Sequence, residues 1–448
     1  EMFEVPEWAA NKVVYQIFPS RFAATEPVDK ELWYKAPITP MDDLHGNLRG
    51  IIEHMDDIQN LGIDVLYMTP IFQSNSCHKY DTTDYYQIDP SFGTTEDLKE
   101  LVQKAHERGM KVVLDAVYNH TGREFFAFAD ILENGEKSKY RDWYFIDGFP
   151  LKSEWGEIPN FKCFGYYGGM PKLNLKNPEV EKYITDVACY WIKECDIDGW
   201  RLDVGDEISH FFWKNFRKAI KAVKKDMLII GEIWHYAGDF LEGDEWDTVM
   251  NYPFYLNLID LLADEKITVS QFVQNLGYLK GRLHKNCYPL MWNLIDSHDT
   301  ARFLHLCNDN KKKQHLAAAF QLLLPGMPMI YYGDEYAMPG ANDPDCRRGM
   351  YWDEEYQDKE MYEWYKRLIQ VRKSHACIVE GELAGSVTED EEGTVVLIRK
   401  NGEETIAMIF NCSSSAKKFN AYTEKYNLLT ENTFDGNVEG FDAAVIVL

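Results

Sequence analysis

Thr94-Thr95-Glu96-Asp97-Leu98-Lys99-Glu100-Leu101-Val102-Gln103-Lys104-Ala105-His106-Glu107-Arg108-Gly109-Met110-Lys111-Val112-Val113-Leu114-Asp115-Ala116 reads as one helix and one strand joined through a glycine. Thr94 or Thr95 can cap the helix, and Glu96 and Asp97 favour its N-terminus. Leu98, Leu101, Val102 and Ala105 fall at the spacing of one helical face. Gly109 closes the helix, and the β-rich run 111–116 is a strand. The same unit precedes it. Val13-Val14-Tyr15-Gln16-Ile17-Phe18 is a first strand ended by Pro19, and 23–47 is a polar, irregular loop. Ile51, Ile52, Met55 and Ile58 mark a helix ended by Gly62, and Val65-Leu66-Tyr67-Met68-Thr69-Pro70 is a second strand. Strand, helix, strand implies right-handed parallel crossovers.

Between 119 and 176 the alternation stops, in a segment too long for a plain loop, so an inserted subdomain is expected there. It resumes with Val180, Ile184, Val187, Trp191 and Ile192 on one helix face, then strands near 199–203, 227–232, 247–250, 290–294 and 328–331. Eight strands make an α/β fold, a closed (β/α)₈ TIM barrel with the insert after its third strand. After Arg372 the pattern changes to alternating strands with Gly and Asn turns, which predicts a C-terminal antiparallel β-sandwich. The expected domains are 1–118 and 177–372 for the barrel, 119–176 for the insert and 373–448 for the β domain.

The 448 residues carry a formal charge of −26 from 47 basic and 73 acidic side chains. That charge opposes nucleic acid and anionic membrane but not a neutral substrate. Aromatics make up 14%, with 27 Tyr and 12 Trp, and sugar rings pack their C–H faces on such planes. Nine scattered cysteines with no zinc-type spacing read as free thiols of a reducing compartment. The segment Glu1-Met2-Phe3-Glu4-Val5-Pro6-Glu7-Trp8 has no signal-peptide pattern, and the most apolar stretch, 317–332, is interrupted by Gln321, Pro325 and Pro328. A cytoplasmic location without a membrane span is expected.

Four acidic segments decide the chemistry: Asp115-Ala116-Val117-Tyr118-Asn119-His120, Gly199-Trp200-Arg201-Leu202-Asp203, Gly231-Glu232-Ile233-Trp234-His235 and Ser297-His298-Asp299. Asp203, Glu232 and Asp299 follow the fourth, fifth and seventh strands, at the end of a barrel where active sites are built. Breaking a glycosidic bond needs a proton for the leaving oxygen and support for a cation-like anomeric carbon, which paired carboxyl groups supply. Arg201, on the same strand face as Asp203, is expected to keep it ionised as the nucleophile. Glu232, beside Ile233 and Trp234, suits the general acid, its pKa raised by burial. Asp299 would hold sugar hydroxyls, with His298 and His120 beside it as donors. His78 and Tyr80 after the second strand offer a hydrogen bond and a stacking ring, and Asp343 and Arg347 after the eighth offer paired polar contacts.

These residues resemble those of glycoside hydrolase family 13, the α-amylase family, along nearly the whole chain. Met170-Pro171-Lys172-Leu173-Asn174 is similar to a segment of its cyclomaltodextrinase, maltogenic amylase and neopullulanase group. The resemblance implies retaining hydrolysis of α-1,4-glucosidic bonds, with some α-1,6, in maltooligosaccharides, cyclodextrins, pullulan or starch, and transglycosylation as a side activity. Asp203 matches the nucleophile, Glu232 the acid/base and Asp299 the transition-state stabiliser. Arg201, His120, His298, His78 and Tyr80 match residues around the cleaved glucose. Asp343 and Arg347 match a pair at the next donor-side position, and Trp234 and Glu207 are further expected substrate-binding residues, Glu207 near the acceptor side. Asp115 and Asn119 match mainly structural positions.

Three departures qualify this. Members of the group usually begin with a β domain that helps form a dimer, whereas this chain starts at the barrel's leading segment. A monomer, or a dimer unlike the usual one, and an open cleft are expected. Where relatives carry a calcium loop, the chain reads Ala23-Ala24-Thr25-Glu26-Pro27-Val28, with Asn47 in place of an Asp. No cofactor is expected, and no calcium at that place. Gly205-Asp206-Glu207 stands for the usual Ala-Asn-Glu, adding a charge that bears on hydrolysis against transfer. The competing readings are an oligo-α-1,6-glucosidase and, in another class, a non-catalytic glucan-binding protein.

Overall fold

The computed structural model describes residues 3–448. Eight parallel strands close a barrel: β1 (Val14–Ile17), β2 (Val65–Met68), β3 (Lys111–Ala116), β4 (Gly199–Leu202), β5 (Leu228–Gly231), β6 (Thr248–Asn251), β7 (Trp292–Asn293) and β8 (Met327–Tyr331). Val14 opposite Val65 and Met329 sets the register of β1 against its two neighbours. The strand alternation separates two sets of side chains. Val14, Val65, Tyr67, Val113, Leu228, Ile230, Met250, Trp292 and Met329 cluster inside the barrel. Tyr15, Leu66, Met68, Val112, Leu114, Trp200, Leu202 and Ile229 join the larger core beneath the surrounding helices. Gln16, Asp115, Arg201, Asp203 and Glu232 share the inward parity, so each points along the barrel axis toward its C-terminal mouth.

Local chemistry sets the boundaries. Thr94 caps the helix Thr95–Glu107 in a reciprocal box with Asp97. The helix expected over 51–58 is broken at His54 into Leu48–Glu53 and Met55–Leu61, and Gly62 ends the second at a φ of 106°. The 23–47 loop contains a short helix, Lys30–Trp33, capped by Asp29. Asn47 accepts from the Gly50 amide and donates to Thr25, which makes it a helix cap.

Residues 119–176 hold the helix Phe126–Asn134 and a ladder of isolated bridges, His120 with Lys172, Tyr144 with Leu173, Ile146 with Phe161 and Cys163 with Pro171. The C-terminal sheet has six antiparallel strands, Glu382–Glu389, Thr394–Asn401, Glu404–Asn411, Asp442–Val447, Tyr426–Asn427 and Asn432–Thr433 in spatial order. Its parity again divides two faces. Leu397, Met408, Phe410 and Val445 pack on the barrel's helices, where Phe410 stacks on Phe320 at 4.2 Å. Val396, Ala407, Ile409, Ala444 and Ile446 lie with Phe434 and Val438. The layer on that face is a two-stranded ribbon, Lys417–Lys418 with Asn437–Val438.

Candidate active site

Asp203 and Glu232 each extend the strand ladder by one residue. The Asp203 amide donates to the Ala116 carbonyl at 3.1 Å, and the Glu232 amide to that of Leu202 at 3.0 Å. Both carboxyl groups therefore stand on rigid strand ends. Directly after Asp203, Val204 turns the chain with a φ of 46°, a left-handed conformation costly for a β-branched residue. The strain has a visible use, because the Val204 amide donates to Glu232 Oε1 at 2.9 Å.

Arg201, fully buried, joins three carboxyl groups. Its Nη1 donates to Asp115 at 3.0 and 3.1 Å and to Asp203 Oδ1 at 3.2 Å, while Nη2 meets Glu232 Oε2 at 2.5 Å. Asp115 also accepts from the hydroxyls of Tyr67 at 2.6 Å and Tyr80 at 2.8 Å. Burial moves the Asp115 pKa up to about 6 against the pull of Arg201.

The expected division of labour by environment is corrected here. The sequence suggests Arg201 as a partner of Asp203 and apolar company for Glu232, yet the guanidinium makes its shorter contact with Glu232. Trp234 instead lies flat on Tyr252 at 3.7 Å and 14°. Burial, then the neighbouring Glu232 charge, pushes the Asp203 pKa upward, and burial raises Glu232, with Arg201 opposing both. The two titrate as a pair.

Asp299 lies six residues past β7, which is shorter than expected, in a loop closed on itself. Asp296 accepts from the Phe303 amide at 2.9 Å, and Arg302 pairs with Asp334 at 2.9 Å. Ser297, His298, Thr300 and Arg302 are buried, while the Asp299 side chain remains 32% exposed. His298 Nε2 lies 3.3 Å from Asp299 Oδ2 and 2.7 Å from the Tyr80 hydroxyl. Arg347 donates to the His298 carbonyl at 2.9 Å, pairs with Asp343 at 2.9 Å and reaches Asp299 at 3.5 Å. Of the two residues foreseen after the eighth strand, Arg347 thus meets the third carboxylate and Asp343 pairs with Arg347.

His120 is buried beside Asp203, at 4.0 Å, where the sequence reading put it beside Asp299. Its Nε2 meets the Tyr80 carbonyl at 3.0 Å, and burial lowers its pKa to about 4. Tyr80, expected to stack on sugar, has its ring against His298 at 5.7 Å and 9°. Its hydroxyl is already bonded at both ends. His78, half-buried, accepts from the Tyr80 amide at Nδ1, and burial lowers its pKa. Glu207 is exposed and takes a long bond of 3.4 Å from Asn119. It lines a cavity of about 390 Å³ with Phe145, Lys172, Asp206 and Phe240.

Sequence reasoning missed Gln16 and Tyr67 and underrated Asp115, although strand parity carries all three. It also missed Phe164, whose ring lies 5.3 Å from that of His120. No periodicity in the insert signals that contact.

A (β/α)₈ barrel that sets two buried carboxyl groups on one guanidinium, with a third part-exposed beside them, defines an enzyme for breaking glycosidic bonds. The chain belongs to the α-amylase family: the family model described as the α-amylase catalytic domain matches residues 16–381. A cyclomaltodextrinase of Geobacillus thermopakistaniensis is 45% identical, over 98% of this chain and 76% of the relative. Neopullulanase 2 of Thermoactinomyces vulgaris is 43% identical, over 92% and 71%. The solved structure of a cyclic α-maltosyl-(1→6)-maltose hydrolase from Arthrobacter globiformis superposes with a TM-score of 0.90 at 35% identity, over 99% of this chain and all of that one. The protein is a glycosidase of this family, acting on α-glucans. Among the described residues, no helix is long and apolar enough to cross a membrane, and all nine cysteines are unpaired.

Proposed function

We propose that the chain is a cytoplasmic, retaining hydrolase of α-1,4-glucosidic bonds in maltooligosaccharides and cyclodextrins, with transfer to sugar acceptors as a side reaction. The carrying observation is the shared guanidinium, which holds Asp203 and Glu232 on separate nitrogens. In the proposed cycle Asp203 attacks the anomeric carbon while Glu232 gives its proton to the leaving oxygen. Glu232 then takes a proton from water, whose oxygen displaces Asp203 from that carbon. Binding of the sugar between the two groups fixes the proton on Glu232, the carboxyl that faces the leaving oxygen. Asp299, His298 and His120 hold hydroxyls of the distorted ring, Arg347, Asp343 and His78 line the donor side, and Trp234 and Glu207 the acceptor side. The insert over 119–176 forms one cleft wall and the β domain over 373–448 a separate unit.

Cleavage of α-1,6 bonds is the second reading, favoured by the full-length likeness to a hydrolase named for a (1→6)-linked ring. Reducing sugar released from maltotriose, cyclodextrin, pullulan and starch, with products separated by chromatography, tests both. Activity on maltotriose and cyclodextrin is expected. Preference for isomaltose over maltotriose would favour the second reading, and a folded protein inert on every glucan would end both.

A further inference from the structure

Gln16 is buried on β1, 282 residues from His298, and its amide nitrogen lies 2.7 Å from His298 Nδ1. The direction of that bond follows from the far end of a chain of hydrogen bonds. Asp115, paired with Arg201, accepts from Tyr80 at 2.8 Å. A tyrosine hydroxyl has one hydrogen, so once it is given to Asp115, the oxygen of Tyr80 must accept from His298 Nε2 at 2.7 Å. His298 then carries its proton on Nε2, and Nδ1 is a bare acceptor in a fully buried ring. Gln16 is the residue that supplies the donor there. Its carbonyl oxygen has no partner among the described residues, so the amide is held for this single bond. Burial, with Arg347 and Arg201 nearby, lowers the His298 pKa and keeps the ring neutral. In a neutral ring only one nitrogen can donate.

We propose that Gln16 is a positioning residue: by donating to His298 Nδ1 it reinforces, from the other side of the ring, the tautomer that the Asp115–Tyr80 chain selects, and so keeps Nε2–H, given to the Tyr80 hydroxyl, on the side that faces Asp299 Oδ2 at 3.3 Å. This rests on the proposed role of His298 as a donor to the substrate. A reversed tautomer would put a lone pair toward the Asp299 carboxylate, turning an attraction into a repulsion. The bond therefore acts through His298 and touches no substrate.

The test uses the full chain with ¹⁵N in its histidine rings, the His298 signals being assigned by their loss in His298→Asn. The wild type should show a neutral His298 protonated at Nε2, a measurement that needs no change at position 16. Gln16→Met, close in shape but without the donor, should mix the two tautomers, and Gln16→Glu should draw the proton to Nδ1. Both should lower kcat/KM on maltotriose roughly tenfold or more. A wild-type ring protonated at Nδ1, or a tautomer unmoved by Gln16→Met, overturns the inference. So does a shifted tautomer with full turnover while His298→Asn is impaired. Full activity in His298→Asn would instead sink the role assigned to His298 itself.

Discussion

Replacing Arg201 with lysine keeps one positive charge in the centre of the site but removes the fork that serves three carboxyl groups. A lysine ammonium is a point charge on an unbranched stem and cannot reproduce contacts of 3.0 Å to Asp115, 3.2 Å to Asp203 and 2.5 Å to Glu232 at once. A hydrogen bond to a charged group contributes about 1.5–3 kcal/mol, and about 1.4 kcal/mol moves a pKa by one unit. Losing the bond to Asp203 should thus raise its pKa by about one to two units. Since Asp203 must be ionised to attack, the acid limb of kcat/KM on maltotriose should move to higher pH by the same amount. Initial rates across the pH range measure the limb, and circular dichroism checks that the variant is folded. A folded lysine variant whose acid limb coincides with that of the wild type would refute the reading that Arg201 opposes the upward shift of the Asp203 pKa.

Glu232→Gln should cost about 10²–10⁴ in turnover while maltotriose still binds by calorimetry; a rate within a few-fold of the wild type would remove Glu232 as the acid. His120 has a folded pKa of about 4 against an ordinary 6.5, so its contribution is complete above pH 6.5 and disappears as the pH falls through 4. That is about 3 kcal/mol. Denaturant unfolding at pH 7 and pH 4 should show His120→Gln losing less stability on acidification than the wild type by roughly this amount, and equal losses would contradict it. Trp234→Ala removes the face stacked on Tyr252 at 3.7 Å and should shift the ratio of transfer to hydrolysis products several-fold toward hydrolysis, read by chromatography.

Much of this was legible because strand parity and loop position are local properties. Runs such as Val65–Met68 and Lys111–Ala116 declare themselves by β-branched and aliphatic composition shortly after a helix-ending glycine, and an acid one residue past such a run marks the barrel's mouth. Asp203 and Glu232 are of that kind. Asp299 is harder, because its place depends on a loop folded by Asp296, Arg302 and Asp334, a contact set spanning 39 positions from Asp296 to Asp334. The sharing of Arg201 between Asp203 and Glu232 was not readable, since it depends on the offset between β4 and β5. Nor was the break at His54, where the apolar spacing continues across two helices. The Gln16 bond to His298 crosses the closure of the barrel, and a strand-by-strand reading stops short of that seam.

The bridge between His120 and Lys172 sets the two ends of the segment between them side by side. A segment clipped in this way hangs from the barrel as a loop hangs from a clasp: what is added, removed or recast between its two ends need not disturb the eight strands below. Cleft shape can consequently change over evolution while the bond-breaking groups stay where they are, with His120 the point at which any such change is felt by the chemistry.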